Sequence, residues 1–411
     1  MGGCIEDTKS TIRTVMEAQS KEVLCLSKWL HEDAELGYSE FGAAQRIANL
    51  LASKGFAVDL GIAKMPSAFR AEYRGGPGPT VVLLAELDAM PDPAGRRYAA
   101  SHHSCGHNIM AAASYGAAIG LASLGDTLSG RVVLLGSPAE EARFRSGGKA
   151  LLVSHGHLHG ASAAMQIHPE TRSRSPETYL RRPYWPAWST IQLLFSWAGL
   201  QPLAWSWVNR HPFKMVVDDL CSPILDVSVV SAYSPPQGSE WSIADKTTLK
   251  LVLRIKGERA RDLLRIENEV LARAQAMAAR LDMCVESDLH RNRYYNMVQN
   301  LTLGELFATN YQSLGESIID EAPVDDEHPI VESAGDMGNV SHVVPSLHPH
   351  IVMESCAPIH SDEFARATGS SDGDRAVKLG ALGMALTCVD VLNNREDRMK
   401  AMEEFLHADI T

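Results

Sequence analysis

Thr80-Val-Val-Leu-Leu-Ala-Glu-Leu-Asp-Ala89 (TVVLLAELDA) is the stretch whose reading decides the fold. Thr80 to Ala85 is a continuous apolar run, the pattern of a strand covered on both faces. The run breaks at Glu86-Leu87-Asp88, so the strand delivers acids just past its carboxyl end. The design recurs twice. Arg131 to Gly136 runs into Ser-Pro-Ala-Glu140-Glu141, and Ala163 to Ile167 runs into His168-Pro169. In an open α/β sheet, ligands bind in the crevice outside the carboxyl ends of the strands. The pattern therefore predicts an α/β fold with its chemistry at that edge.

Between the first two strands lies Ser101 to Met110, SHHSCGHNIM. Cys105 and His107 stand one residue apart at the mouth of an apolar helical run. A thiolate beside an imidazole suits a divalent metal, and both the ion and a helix N-terminus favour the thiolate. Asp88, Cys105, His107, Glu140, Glu141 and His168 are far apart in sequence, yet this topology would bring them to one crevice.

Composition narrows the class. The chain has 411 residues, enough for two domains, with 45% hydrophobic and 21% charged residues, as in a globular protein with ample core. A net charge of -12 argues against nucleic acid and anionic membrane as partners. Seven cysteines without regular spacing fit a reducing cytoplasm better than a disulfide framework. The N-terminus has no apolar core of a signal peptide, and Glu6 stands where myristoylation needs Ser or Thr. No apolar run is expected to cross a membrane; Ile109 to Leu124 carries Ser114 and Tyr115 and reads as a buried helix.

Helices are expected over residues 10 to 31, after Ser39 as N-cap to Gly55, and from Lys149 to His155. Composition shifts near Pro183, and Tyr184 to Trp241 holds six of the seven tryptophans. Strands Ser189 to Ser196, Ile224 to Val230, Thr247 to Ile255 and Met283 to Asp288 alternate with helices Pro212 to Leu220 and Glu258 to Leu281. That order, β-α-β-β-α-β, is ferredoxin-like. It predicts an inserted α+β lid over residues 188–292, between two parts of a mixed-sheet catalytic domain, 1–187 and 293–411. Gly335 to Pro345 reads as loop, and a helix from Asp374 to Leu392 as the closing element.

Taken together, the motifs resemble the metal-dependent aminoacylase and carboxypeptidase family (metallopeptidase family twenty, clan MH). The similar branch is the amidohydrolases, which includes hippurate hydrolase, aminobenzoyl-glutamate hydrolase and 5-nitroanthranilate aminohydrolase. Leu30-His31…Glu35-Leu36, Leu87-Asp88-Ala89-Met90-Pro91 and Ser104-Cys105-Gly106-His107-Asn108 carry the resemblance in the first part of the chain. Pro138-Ala139-Glu140-Glu141, Ile167-His168-Pro169, Asp336 to Ser341 with Val344-Pro345, and His360-Ser361-Asp362-Glu363-Phe364 carry it further on. The resemblance implies a zinc-exopeptidase-like catalytic domain and a metal-dependent hydrolase of C–N bonds. It implies Cys105, His107, Glu141, His168 and His360 as ligands of one or two divalent ions, manganese(II) favoured and zinc(II) the rival. Glu140 would be the general base and Asp88 would orient a ligand; Gly338 and Asn339 would lie near a substrate carboxylate. Glu86 sits where other branches place a metal histidine. Relatives pair through the lid, so a homodimer is expected.

The departures point to the substrate. The family's lid histidine, in a Gly-x-Ala-Ala-His-Ala context, polarises the scissile carbonyl; here Gln201 takes its place. Arg143 and Arg145 replace a glycine-rich loop beside the glutamates. With Trp197, Trp205, Trp207 and Trp241 in the lid, they suit a small, planar, carboxylate-bearing substrate. Plain packing is the other reading of those tryptophans. Three activities stay open: amide hydrolysis, hydrolytic deamination of an aryl amine, and a metal-binding scaffold without turnover.

Overall fold

The computed structural model describes residues 5–91, 101–142, 146–182, 185–196, 220, 227–233, 248–289, 293–323 and 335–409. Two units emerge. Met1–Ala142, Ser146–Tyr184 and Met297–Ile410 make the first, and Trp185–Asn296 lies in the second.

The first unit is built on a six-stranded mixed sheet. Its order is Ala57–Leu60, Phe69–Arg74, Ser129–Ser137, Gly76–Glu86, Ala163–Met165 and Ser346–Leu347. Gly76–Glu86 is central and parallel to both neighbours, with Leu83 opposite Leu134 and Glu86 opposite Ser137. Val81, Val82, Leu83, Leu84 and Ala85 are all buried, which is why the run carries no alternation. The helix His107–Ala122 is buried along its whole length, and its alanines and glycines let neighbours close in. Gly116 lies against Val23 of helix Ile5–Glu32 and Ala381 of helix Ser371–Asn393, with no room for a Cβ larger than hydrogen without displacement.

Ser371–Asn393 is long and apolar enough to cross a membrane, contrary to the expectation that no segment would be. Most of it is buried against the helices Ile5–Glu32 and His107–Ala122, the setting of a core helix.

Four local expectations are corrected. Ser39 is not the N-cap: helix Phe41–Ser53 follows Glu40, and the Glu35 carboxylate accepts from Gly42 N at 3.0 Å and Ala43 N at 2.8 Å. The third strand stops at Met165. His168 instead opens a strand of a second, four-stranded sheet, His168–Thr171, parallel to His350–Met353. The expected loop Gly335 to Pro345 contains a buried helix, Met337–Ser341. Ser371–Asn393 does not close the chain, because Asn394 caps a further helix, Arg395–His407.

In the second unit, an antiparallel sheet runs in the order Val227–Tyr233, Thr248–Gly257, Ala187–Ser196, Cys284–Leu289. This is the ferredoxin-like order. Helix Ala260–Arg280 covers it with Leu263, Ile266, Val270, Ala274 and Met277, spaced three to four apart on one face, packed on Ile191, Leu193, Phe195 and Leu253. The expected helix Pro212 to Leu220 lies outside the described residues, Leu220 apart.

Candidate metal centre

The strand ends do converge, and the Cys105 sulfur is their hub. Cys105 Sγ lies 3.4 Å from His168 Nε2. His360 Nε2 is 3.0 Å from Glu141 Oε1. Ligand atoms of Cys105, Glu141 and His360 form one close group, and those of His107, Glu140 and Glu141 another.

Local backbone geometry sets these side chains. Gly106, between Cys105 and His107, has φ +81°, and a Cβ there would come within 2.4 Å of Pro169 Cγ. Only glycine fits a left-handed turn under that proline. Ala139 (φ 61°) and His360 (φ 70°) also hold left-handed backbones, unusual for residues other than glycine. Each is tied down. Ala139 N donates to Glu40 Oε1 at 2.8 Å, and His360 N donates to Ser104 O at 2.8 Å.

The histidine tautomers follow from their partners. His168 Nδ1 is 2.6 Å from Pro169 O, and His107 Nδ1 is 2.7 Å from Asp88 O. A carbonyl can only accept, so Nδ1 carries the proton in both rings and Nε2 is left to face the cluster. Asp88, fully buried, links the groups: Oδ1 is 3.2 Å from His107 Nδ1, and Oδ2 accepts from Glu141 N at 2.8 Å.

The electrostatics fit a cation. Burial and Glu141 push the Cys105 thiol up, but His168 and His107 outweigh them and bring it to about 6. Burial opposes ionisation of Glu141, yet His360 holds it at about 2. Burial also opposes the His360 imidazolium, which Cys105 and Glu141 nonetheless raise to about 11. Burial, then Glu141, Glu86 and Asp336, push Glu140 well above the usual carboxylate range. Without an ion, acids and thiol draw protons onto imidazoles that would otherwise be ligands. Donor spacing agrees: N or O atoms about 2.1 Å from one ion lie roughly 3.0–3.4 Å apart on adjacent corners of its shell, and sulfur slightly further. The residues present therefore fit a divalent ion, with Cys105, Glu141 and His360 in one close group of donors and His107, Glu140 and Glu141 in another.

Gly338 and Asn339 are buried in the helix Met337–Ser341, which packs beside helix Gly148–Ser154. Gln201, Arg143, Arg145 and Trp207 lie outside the described residues. Sequence reasoning missed Lys149 and Glu40, gave Asp336 only as the start of a motif, and gave Glu86 no role. Lys149 Nζ, fully buried, pairs with Glu86 Oε1 and Asp336 Oδ1. A lysine inside the run Gly147-Gly148-Lys149-Ala150-Leu151-Leu152 was the available signal.

No family model matches the chain. Individual proteins do. The Xaa-Arg dipeptidase of Mus musculus is 26% identical over 394 residues, covering 89% of this chain and 85% of that protein. One of the polypeptides of the Escherichia coli p-aminobenzoyl-glutamate hydrolase is 29% identical over 170 residues, 39% of this chain and 34% of that one. In fold, a dinuclear metal-binding peptidase of the M20 family from Bacillus subtilis superposes with TM-score 0.65 at 17% identity, covering 92% of this chain and 99% of that one. Over most of its length the chain is similar to a dipeptidase, and in fold it is similar to a peptidase of the M20 family. The solved neighbours have M20 peptidase-family folds with catalytic and lid domains. The chain is accordingly a metal-dependent hydrolase of C–N bonds.

Proposed function

We propose that this protein hydrolyses the amide bond of a small, carboxylate-bearing, aromatic substrate, with Glu140 as general base. The observation that carries the reading is the Cys105 hub, with adjacent glutamates of opposite character beside it: Glu141 held at about 2 by His360, burial notwithstanding, and Glu140 pushed well up by burial. One carboxylate is suited to bind a cation, and the other to take and return a proton. A bound divalent ion supplies a water of lowered pKa and polarises the carbonyl. The chain's own residues do the rest. Asp88 fixes the His107 ring and the Glu141 backbone together, and Glu140 accepts the water proton and passes it to the leaving nitrogen. Manganese(II) is the favoured ion and zinc(II) the rival, and the cytoplasm is the proposed compartment.

The second reading, displacement of an aryl amine as from 5-nitroanthranilate, is favoured by Gln201 standing where a carbonyl-polarising histidine is expected. Products separate the two. Manganese- or zinc-loaded protein is tested on Xaa-Arg dipeptides, N-acyl amino acids, aminobenzoyl-glutamate and substituted anthranilates. A free acid with an amine supports amide hydrolysis, and ammonia with a phenol supports ring displacement. Turnover confined to aliphatic substrates overturns the aromatic part, and no chelator-sensitive turnover on any of them overturns the hydrolase reading. We also propose a homodimer formed through the lid; a monomer in sedimentation at micromolar concentration overturns that.

A further inference from the structure

The second sheet carries a row of three rings beside the candidate metal centre. His168 pairs with His350 on the neighbouring strand, and His350 pairs with Tyr179 of strand Thr178–Arg181 on its other side. Residues opposite one another on adjacent strands share a face of the sheet. The rings meet there. His350 is stacked on Tyr179, with centroids 4.6 Å apart and planes 13° from parallel, and it lies 5.4 Å from the His168 ring. Tyr179 and His350 are fully buried.

Charge closes the far side of the row. Glu170, also fully buried, stands two residues after His168 and so on the same face of its strand. Its Oε2 accepts from the Tyr179 hydroxyl at 2.8 Å and from Arg182 Nη2 at 3.3 Å, and its Oε1 accepts from Thr171 N at 2.9 Å. Arg182 Nη2 lies 3.4 Å from His350 Nδ1 as well. Glu170, Tyr179, His350 and Arg182 therefore form a closed loop. Buried charges return in attraction about what they cost to desolvate, so apolar side chains would hold this sheet together as well. What the loop adds is a fixed place for the His350 ring.

His168 needs such a neighbour. Its Nδ1 bond goes to Pro169 O, the next residue of its own strand, so that bond ties the ring to its own backbone and not to the centre. Its Nε2 must nonetheless meet Cys105 Sγ, 3.4 Å away. The rings beside it are those of His350 and of His348, the latter at 6.0 Å. Resting on the metal-hydrolase reading above, we propose that His350 is a positioning residue: clamped by Tyr179, Arg182 and Glu170, its ring holds His168 against the Cys105 sulfur, ready for a shared ion.

The test uses the full-length protein. Manganese affinity is measured by titration against a competing chelator, and the thiolate-to-cobalt absorption of the cobalt-substituted protein is the second readout. His350→Val removes the ring, whereas His350→Phe keeps a ring on Tyr179 without the contact to Arg182. If His350→Val does not fold, Tyr179→Leu, which removes the flat face beneath His350, takes its place. His350→Val is expected to weaken manganese binding by about 10–100-fold and to change the thiolate band, and His350→Phe to recover most of both. A residue that only held the sheet together would lower the melting temperature and leave affinity and spectrum of the folded protein unchanged. That result overturns the proposal and leaves the hydrolase reading standing, as does a His350→Phe protein no better than His350→Val. A wild-type protein that binds neither manganese nor cobalt overturns both, and so tells the two failures apart.

Discussion

Removing the charge of Lys149 tests the ionic floor of the site. Lys149→Met keeps the length of the side chain, but leaves the Glu86 and Asp336 carboxylates buried without their ammonium. Breaking a buried ion pair by removing one partner typically costs about 3–5 kcal/mol. For a unit of this size that lowers the melting temperature by roughly 5–8 °C. The pH dependence sharpens the test. In the native protein burial raises Glu86, but Lys149 and His107 prevail and hold it well below the usual range. A lowered acid stabilises the fold above its unfolded pKa, and that stability is lost as pH falls through the folded pKa. In Lys149→Met burial is opposed by His107 alone, and the neighbouring acids push the same way as burial. Raised acids bind protons in the folded state that the unfolded chain has released, so stability falls as pH rises above about 4.3. The gap between variant and wild type should therefore widen from pH 5 to pH 8. Melting curves of both proteins in chelator, followed by circular dichroism, measure it. A gap below about 1 kcal/mol, or one that narrows with rising pH, would refute the reasoning.

Glu140→Gln should retain bound metal and the wild-type melting curve while turnover falls by about 10²–10⁴-fold, read from activity and metal content on the same sample. Cys105→Ser should lose metal and activity in proportion, because the sulfur lies beside His168 and in one close group with Glu141 and His360; a covalent adduct on Cys105 in mass spectrometry would contradict this. Ala139→Gly accepts φ 61° without strain and should change stability by no more than about 1 kcal/mol, with metal content intact. Ala139→Val places a branched side chain in that conformation and should lower both metal content and turnover; equal behaviour of the two variants would show that the backbone at Ala139 does not position the glutamates.

What could be seen in the sequence was whatever local pattern encodes. Apolar runs without alternation marked the central strands, and the acids and histidines at their ends marked the crevice, because burial on both faces leaves polar residues nowhere else to go. The lid's strand order followed from strand and helix periods alone. Pairings across long separations left no such mark. Lys149 and Asp336 are 187 residues apart, and each would be an ordinary surface residue by type. The cap of helix Phe41–Ser53 was misplaced for a related reason. Ser39 is the better capping residue by propensity, but Glu35 reaches the same amides from the loop before it and frees Glu40 to hold Ser67 and Ala139. The helix Met337–Ser341 has too few residues to show a period, and is fixed by packing against helix Gly148–Ser154.

Glu40 carries the deepest consequence. In extended chain, consecutive side chains point to opposite faces, so Glu140 and Glu141 should diverge. They share one centre because both lie on a bend rather than in extended chain, entered through left-handed Ala139, a conformation costing alanine about 1–2 kcal/mol. Glu40 supplies the bond that holds it, Ala139 N to Oε1, while Oε2 accepts from Ser67. Burial and Asp88 raise Glu40 to about 7, so it keeps a proton that most carboxylates have lost. A carboxyl group just before the second helix thus anchors the turn that leads into two glutamates past a distant strand end. The same division holds at His360, whose left-handed backbone is anchored to Ser104, one residue before the sulfur that its ring must meet. At both places strain is confined to a single residue, and the bond that sustains it comes from an element already fixed by the core. That is how side chains from separate strand and helix ends are kept in two close groups of candidate ligands.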